Sequence, residues 1–91
     1  VIYTIQVTSQ FKKDCKKMKK RGHDLQALED ILDKLVVGEK LPEKNHDHDL
    51  VGDYRGFREC HISPDWLLIY YIQSERLVLV CSRTGSHSDL F

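Results

Sequence analysis

Apolar and polar positions alternate from the start of the chain. In residues 2–7 (IYTIQV), Ile2, Thr4 and Gln6 fall on one face and Tyr3, Ile5 and Val7 on the other, in a β-branched and aromatic run that predicts a strand, expected to be central. The period then changes. Thr8 or Ser9 can cap a helix to about Arg21, in which Phe11, Cys15 and Met18 recur at i, i+4 and i+7 as a narrow apolar stripe between lysine faces. Gly22 takes the C′ position, and Asp24 can cap a second helix to about Val37. There Leu25, Leu28, Ile31, Leu32, Leu35 and Val36 form a wide buried stripe, closed by Gly38. So short a link predicts an antiparallel helical hairpin.

From Glu39 to Asp49 the chain is polar and carries Pro42, which reads as a loop entering a short strand near His48 to Val51, with Gly52 as a turn. Three strands are expected next, Tyr54 to Ile62, Trp66 to Gln73 and Arg76 to Ser82, separated by Ser63-Pro64-Asp65 and by Ser74-Glu75. Connections this short join antiparallel neighbours. The terminal TGSHSDLF is too short and polar for a further strand, and is expected to lie against the sheet through Leu90 and Phe91. The class is α+β, in the order β-α-α-β-β-β, with the hairpin packed on a twisted, mainly antiparallel sheet. One domain is expected over residues 1–91.

Composition adds limits to this pattern. With 41% hydrophobic and 31% charged residues the chain reads as globular, and neither a membrane-length apolar run nor a signal-peptide pattern is present, so the expected location is the cytoplasm. Cys15, Cys60 and Cys81 are scattered and suit reduced core thiols. The formal net charge of zero hides an asymmetry. Residues 12–21 (KKDCKKMKKR) hold seven of the fourteen Lys and Arg and one acid. Such a run is either a solvated helix face or the footprint of a polyanion.

Candidate chemistry gathers in the second half. His46, His48, His61 and His87 lie there with Asp65, Trp66 and Arg83, all expected at strand ends or in adjoining loops. Cleavage of RNA by its own 2′-OH needs a base, an acid for the leaving 5′ oxygen and a cation for the phosphorane charge. Histidine supplies both proton states near neutral pH, and arginine holds phosphate through two donors. His46-x-His48 with His61 or His87 would also serve as a zinc set, although no thiolate pair or H-E-x-x-H helix accompanies it. On spacing alone a nuclease and a generic binding module both fit.

The run HDLVGDYRGFRECHISPDWLLIYYI, followed by RTGSHSDLF, resembles the YafQ branch of the RelE/ParE toxin superfamily across essentially the whole chain. H-x-L-x-G, R-x-x-H ending at His61, P-D-W before L-I-Y, and R-T-G-x-H-x-x-L-F occur together and in order. The resemblance implies a RelE-like fold and a type II toxin: a ribosome-dependent, metal-independent endoribonuclease without a cofactor. It implies that His48, His61, Asp65 and His87 form the acid and base group, that Arg83 holds the scissile phosphate, and that Trp66 and Phe91 position the RNA, with His46 outside the pattern. Lys16, Lys17, Lys19 and Lys20 would meet ribosomal RNA. The implied partners are mRNA on the ribosome and a small RelB- or DinJ-type antitoxin, with no membrane involved. A ParE-like gyrase inhibitor or a non-catalytic RNA-binding module is the alternative.

Overall fold

A computed structural model describes residues 2–91. The strands are β1 (Thr4–Val7), β2 (His48–Asp49), β3 (Arg58–Ser63), β4 (Trp66–Gln73) and β5 (Val78–Gly85); the helices are α1 (Ser9–Lys20), α2 (Leu25–Val36) and α3 (His87–Leu90). Both long helices begin where a side chain can satisfy an orphan amide. The Thr8 hydroxyl accepts from the Phe11 amide at 3.0 Å and donates to the Ser82 carbonyl, so the cap also ties α1 to β5. Asp24 accepts from the Gln26 amide. A cap of this kind stabilises by about 1 kcal/mol. Gly22 and Gly38, both at positive φ, follow the helix ends.

The five strands form one sheet in the order β1-β5-β4-β3-β2. Strands β3, β4 and β5 form the expected antiparallel meander, the two-residue β2 adds to it antiparallel to β3, and β1 pairs parallel to β5. The expectation of a central first strand is therefore corrected: β1 lies at the edge, and all four of its residues are exposed. Period-2 patterning reports faces, not neighbours, and the polar Thr4 and Gln6 suit an edge. Other boundaries move: β2 is confined to His48–Asp49, and β5 starts at Val78, after a 3-10 turn over Ser74–Arg76. Residues Gly52–Tyr54 form a single 3-10 turn, and β3 starts at Arg58, after Gly52 and Gly56 take positive φ. The final strand runs on through Thr84 and Gly85, and the four-residue helix α3 follows it.

Strand β4 is the spine of the molecule and is buried on both faces. Trp66, Leu68 and Tyr70 join Phe11, Met18, Leu28, Ile31 and Leu35 in the larger core under α1 and α2. Leu67 and Ile69 face the other way and meet Leu90, with Leu50, Tyr54 and Phe57 around them. Leu90 thus anchors the C-terminal segment as expected, whereas Phe91 is 60% exposed and does not. Cys60 and Cys81 are buried free thiols, and Cys15 is half-buried and free.

Candidate active site

Cross-strand register gathers the site on the face away from α1 and α2. His48 of β2 stands opposite Glu59 of β3, Glu59 opposite Ile69 of β4, and Ile69 opposite Arg83 of β5. One line of partners therefore carries an imidazole, a carboxylate and a guanidinium across the sheet. The next line holds His61, Leu67 and Gly85, and it leads into α3. A register shift between Ile69 and Tyr70 leaves Ser82 without an opposite residue; it returns Arg83 to the face of Ile69, when strict alternation from Leu79 and Cys81 would put it under the helices.

His87, at the first turn of α3, is held twice by one carboxylate. Its Nδ1 lies 2.7 Å from Asp65 Oδ1, and its amide donates to the same oxygen at 3.1 Å. An ionised carboxylate only accepts, so Nδ1 is the donor and Nε2 is left facing outward. These bonds hold the Asp65 carboxyl below the usual range. Helix α3 is itself fixed by a capping box between Ser86 and Asp89, and Asp89 binds α1 through Arg21 at 2.6 and 3.0 Å and Lys17 at 3.2 Å. The Arg21 bonds, then those from Ser86 and Lys17, pull the Asp89 carboxyl far down. Gly85 leaves room for this, since a Cβ there would stand 3.0 Å from Asp89 Cβ and Oδ2.

His61 lies in a different setting. Its ring centroid is 5.6 Å from that of His87 and 5.2 Å from that of His46. Its Nε2 and the Nε2 of His48 each lie 3.7 Å from Oε1 of Glu59, a carboxylate whose side chain is only 8% exposed. Burial lowers the His61 pKa, and the Glu59 charge opposes that without cancelling it. The loop that delivers His46 and His48 is pinned at both ends. Buried Asn45 donates to the His61 carbonyl at 2.7 Å, while Asp47 accepts from Tyr70 at 2.6 Å and Arg58 at 3.1 Å. A cleft of about 590 Å³ opens beside His61 between Lys44, Asn45, His46 and Pro64.

The structure thus brings His48, His61, Asp65 and His87 into one chain of neighbours, with Arg83 on the same sheet face. Trp66 does not belong with them. At 2% exposure its indole donates to Thr84 Oγ1 at 2.8 Å and packs in the helix-side core, so the expectation that it positions RNA is corrected. Its neighbour Asp65 is in the turn, but Trp66 begins β4 on the covered face, and a large aromatic there is worth more to the core than to a ligand. Phe91 stays accessible, 5.3 Å edge-to-face from Tyr54. Lys16, Lys17, Lys19 and Lys20 are all exposed on α1. Sequence reasoning missed Glu59 and left out His46. Glu59 lies two residues before His61 in a strand, which already implied a shared face. Among the described residues no cluster of three His, Cys, Asp or Glu side chains is arranged to hold a metal ion.

Residues 3–91 match the family of bacterial toxins of the type II toxin–antitoxin system, YafQ. The mRNA interferase toxin YafQ of Escherichia coli K12 is 36% identical over 88 residues, covering 96% of this chain and 94% of that one. In the E. coli DinJ–YafQ toxin–antitoxin complex, a matching chain shares 35% identity at a TM-score of 0.89, over 100% of this chain and 99% of that one. A metal-bound toxin from Helicobacter pylori shares 40% identity at a TM-score of 0.91 over the full length of both.

Proposed function

The chain belongs to the YafQ family of bacterial type II toxins, and we propose that it is an endoribonuclease that cleaves mRNA on the ribosome, with side chains supplying every proton transfer. One domain, residues 1–91, carries the whole activity. In this reading His61 takes the proton from a 2′-OH, whose oxygen attacks the adjacent phosphorus. Arg83 stabilises the charge of the phosphorane. The P–O5′ bond breaks as His87 Nε2 gives its proton to the departing 5′ oxygen, leaving a 2′,3′-cyclic phosphate and a 5′-OH.

The observation that carries the proposal is the unequal pair of imidazoles. His87 is oriented by the 2.7 Å bond to Asp65, which makes Nδ1 the donor and turns Nε2 away from that carboxylate, and His61 has a depressed pKa, which favours a neutral ring. Acid and base are thereby divided between them, Asp65 orients the acid, and His48 shares Glu59 with the base. Phe91 offers a face for an RNA base. The lysines of α1 supply affinity for ribosomal phosphate that does not depend on sequence. A small antitoxin of the DinJ type is the expected partner, since the E. coli relative is found in complex with DinJ. The work takes place in the cytoplasm, where ribosomes are.

The test is a cleavage assay on ribosomes programmed with a defined message. Products ending in 2′,3′-cyclic phosphate are expected; intact message would overturn the proposal and favour a non-catalytic binding module. Changing Lys16, Lys17, Lys19 and Lys20 to Ala together should weaken ribosome binding and flatten its salt dependence, by about 0.7 in the log–log slope for each phosphate no longer neutralised. Identical slopes would show that this face is only solvated.

A further inference from the structure

Arg83, the proposed phosphate clamp, is already bound to a carboxylate that comes from the lysine-rich helix. Asp14 lies on α1 amid that positive run, yet it is one of the few buried charged residues, at 6% exposed. Its Oδ2 accepts from Arg83 Nε at 2.8 Å and from the Thr84 amide at 3.2 Å. Its Oδ1 accepts from Arg83 Nη2 at 3.3 Å and from Gln10 Nε2 at 3.0 Å. Burial alone would push the Asp14 carboxyl up, but the bonds from Arg83, Gln10 and Thr84 outweigh it and hold the group below the usual range. The carboxylate is therefore charged at neutral pH, and its acceptor sites are filled.

Part of this is ordinary edge chemistry. Strand β1 pairs with β5 only as far as Cys81, so beyond that point the backbone of β5 has no strand on that side, and the Thr84 amide needs an acceptor. That requirement explains one of the four bonds. A serine or a water molecule would satisfy it. It does not explain a full negative charge placed on the side edge of the guanidinium. Binding through Nε and Nη2 fixes the plane of Arg83 and leaves Nη1, which makes no hydrogen bond to the described residues, at the opposite end of the fork.

We propose that Asp14 is a positioning residue for the cleavage reaction: it clamps the Nε edge of Arg83 so that the Nη1 end is presented, already oriented, to the phosphate. The inference rests on Arg83 acting on phosphate, as argued above. Long side chains lose much rotamer freedom on ordering, and a guanidinium held before the substrate arrives spares the transition state that cost. Helix α1 thus orients the clamp with its inner carboxylate, and it holds Asp89 through Lys17, while Lys16, Lys19 and Lys20 stay exposed to other anions.

The experiment is a double-mutant cycle on the full chain with programmed ribosomes, using D14N, R83A and the pair, with folding checked by thermal melting. D14N keeps the size of the side chain and removes its charge; kcat should fall about tenfold while KM changes less than about threefold. In the R83A background the same change should cost nothing further. If D14N multiplies the R83A defect by its full factor, or leaves kcat untouched, Asp14 is only an edge cover and the inference is wrong. Should D14N melt too low to assay, Q10A loosens the same carboxylate from the exposed side; it should give a smaller kcat loss that also vanishes in R83A, and a loss that persists there would overturn the inference. If R83A itself is fully active, the phosphate role of Arg83 fails, a result distinct from failure of the clamp.

Discussion

The two histidines that face each other across the site are held by opposite means. His87 meets an exposed carboxylate at hydrogen-bond distance, on a four-residue helix tied by Asp89 to α1. His61 is only 20% exposed, on a strand, and its carboxylate stands 3.7 Å away, shared with His48. A charge-assisted bond fixes direction and tautomer, whereas burial beside a distant charge sets proton affinity without fixing a partner. One imidazole is oriented and the other is tuned, which is what a division of acid from base requires.

Removing the oriented ring should break this contrast most severely. H87A is expected to reduce cleavage by about 10³-fold or more with little change in melting temperature, since the ring is over half exposed; near-normal turnover would dissolve the comparison. H61A should cost less, about 10²-fold, because His48 has access to the same Glu59 carboxylate. A larger loss than in H87A would reverse the ranking of the two rings. D65N comes third, at about tenfold to a hundredfold, as an amide no longer selects the Nδ1–H tautomer; single-turnover rates on programmed ribosomes measure it.

Two finer tests concern protons. Activity that needs neutral His61 falls as pH drops through its lowered pKa. The Glu59 charge raises that pKa, so E59Q should move the acid limb of kcat/KM to lower pH; a limb that stays in place would remove Glu59 from the tuning. Asp89 has a depressed pKa, so its contribution to stability is complete above the unfolded-state value near 3.9 and is lost as pH falls through the folded one. The melting temperature of D89N should therefore lie a few degrees below that of the unaltered chain at neutral pH, roughly what about 1 kcal/mol is worth in a domain this size, with the gap closing in acid. A gap constant with pH would mean that Asp89 acts through packing alone.

Much of this molecule is legible from the residues alone. The caps Thr8 and Asp24 and the glycines after each helix mark α1 and α2 to within a residue, and Trp66 to Gln73 is β4 as expected. These signals are local: a hydroxyl three residues before an amide, or a change of period. The edge position of β1 is not legible, because parallel pairing with β5 depends on residues more than seventy positions away. Trp66 misleads for a related reason. Its motif places it next to Asp65, and only the structure shows that Asp65 stays in the exposed turn while Trp66 opens β4 on the covered face. The unpaired Ser82, which turns Arg83 toward the site, has no sequence signature at all.

The amide of Thr84, donating to the Asp14 carboxylate, gives this fold an internal clock. Its proton can exchange with heavy water only when helix and strand part, so its rate of isotope uptake counts those partings. If it exchanges far faster than the amides inside β4, the arginine loses its orientation many times over before the domain as a whole comes undone.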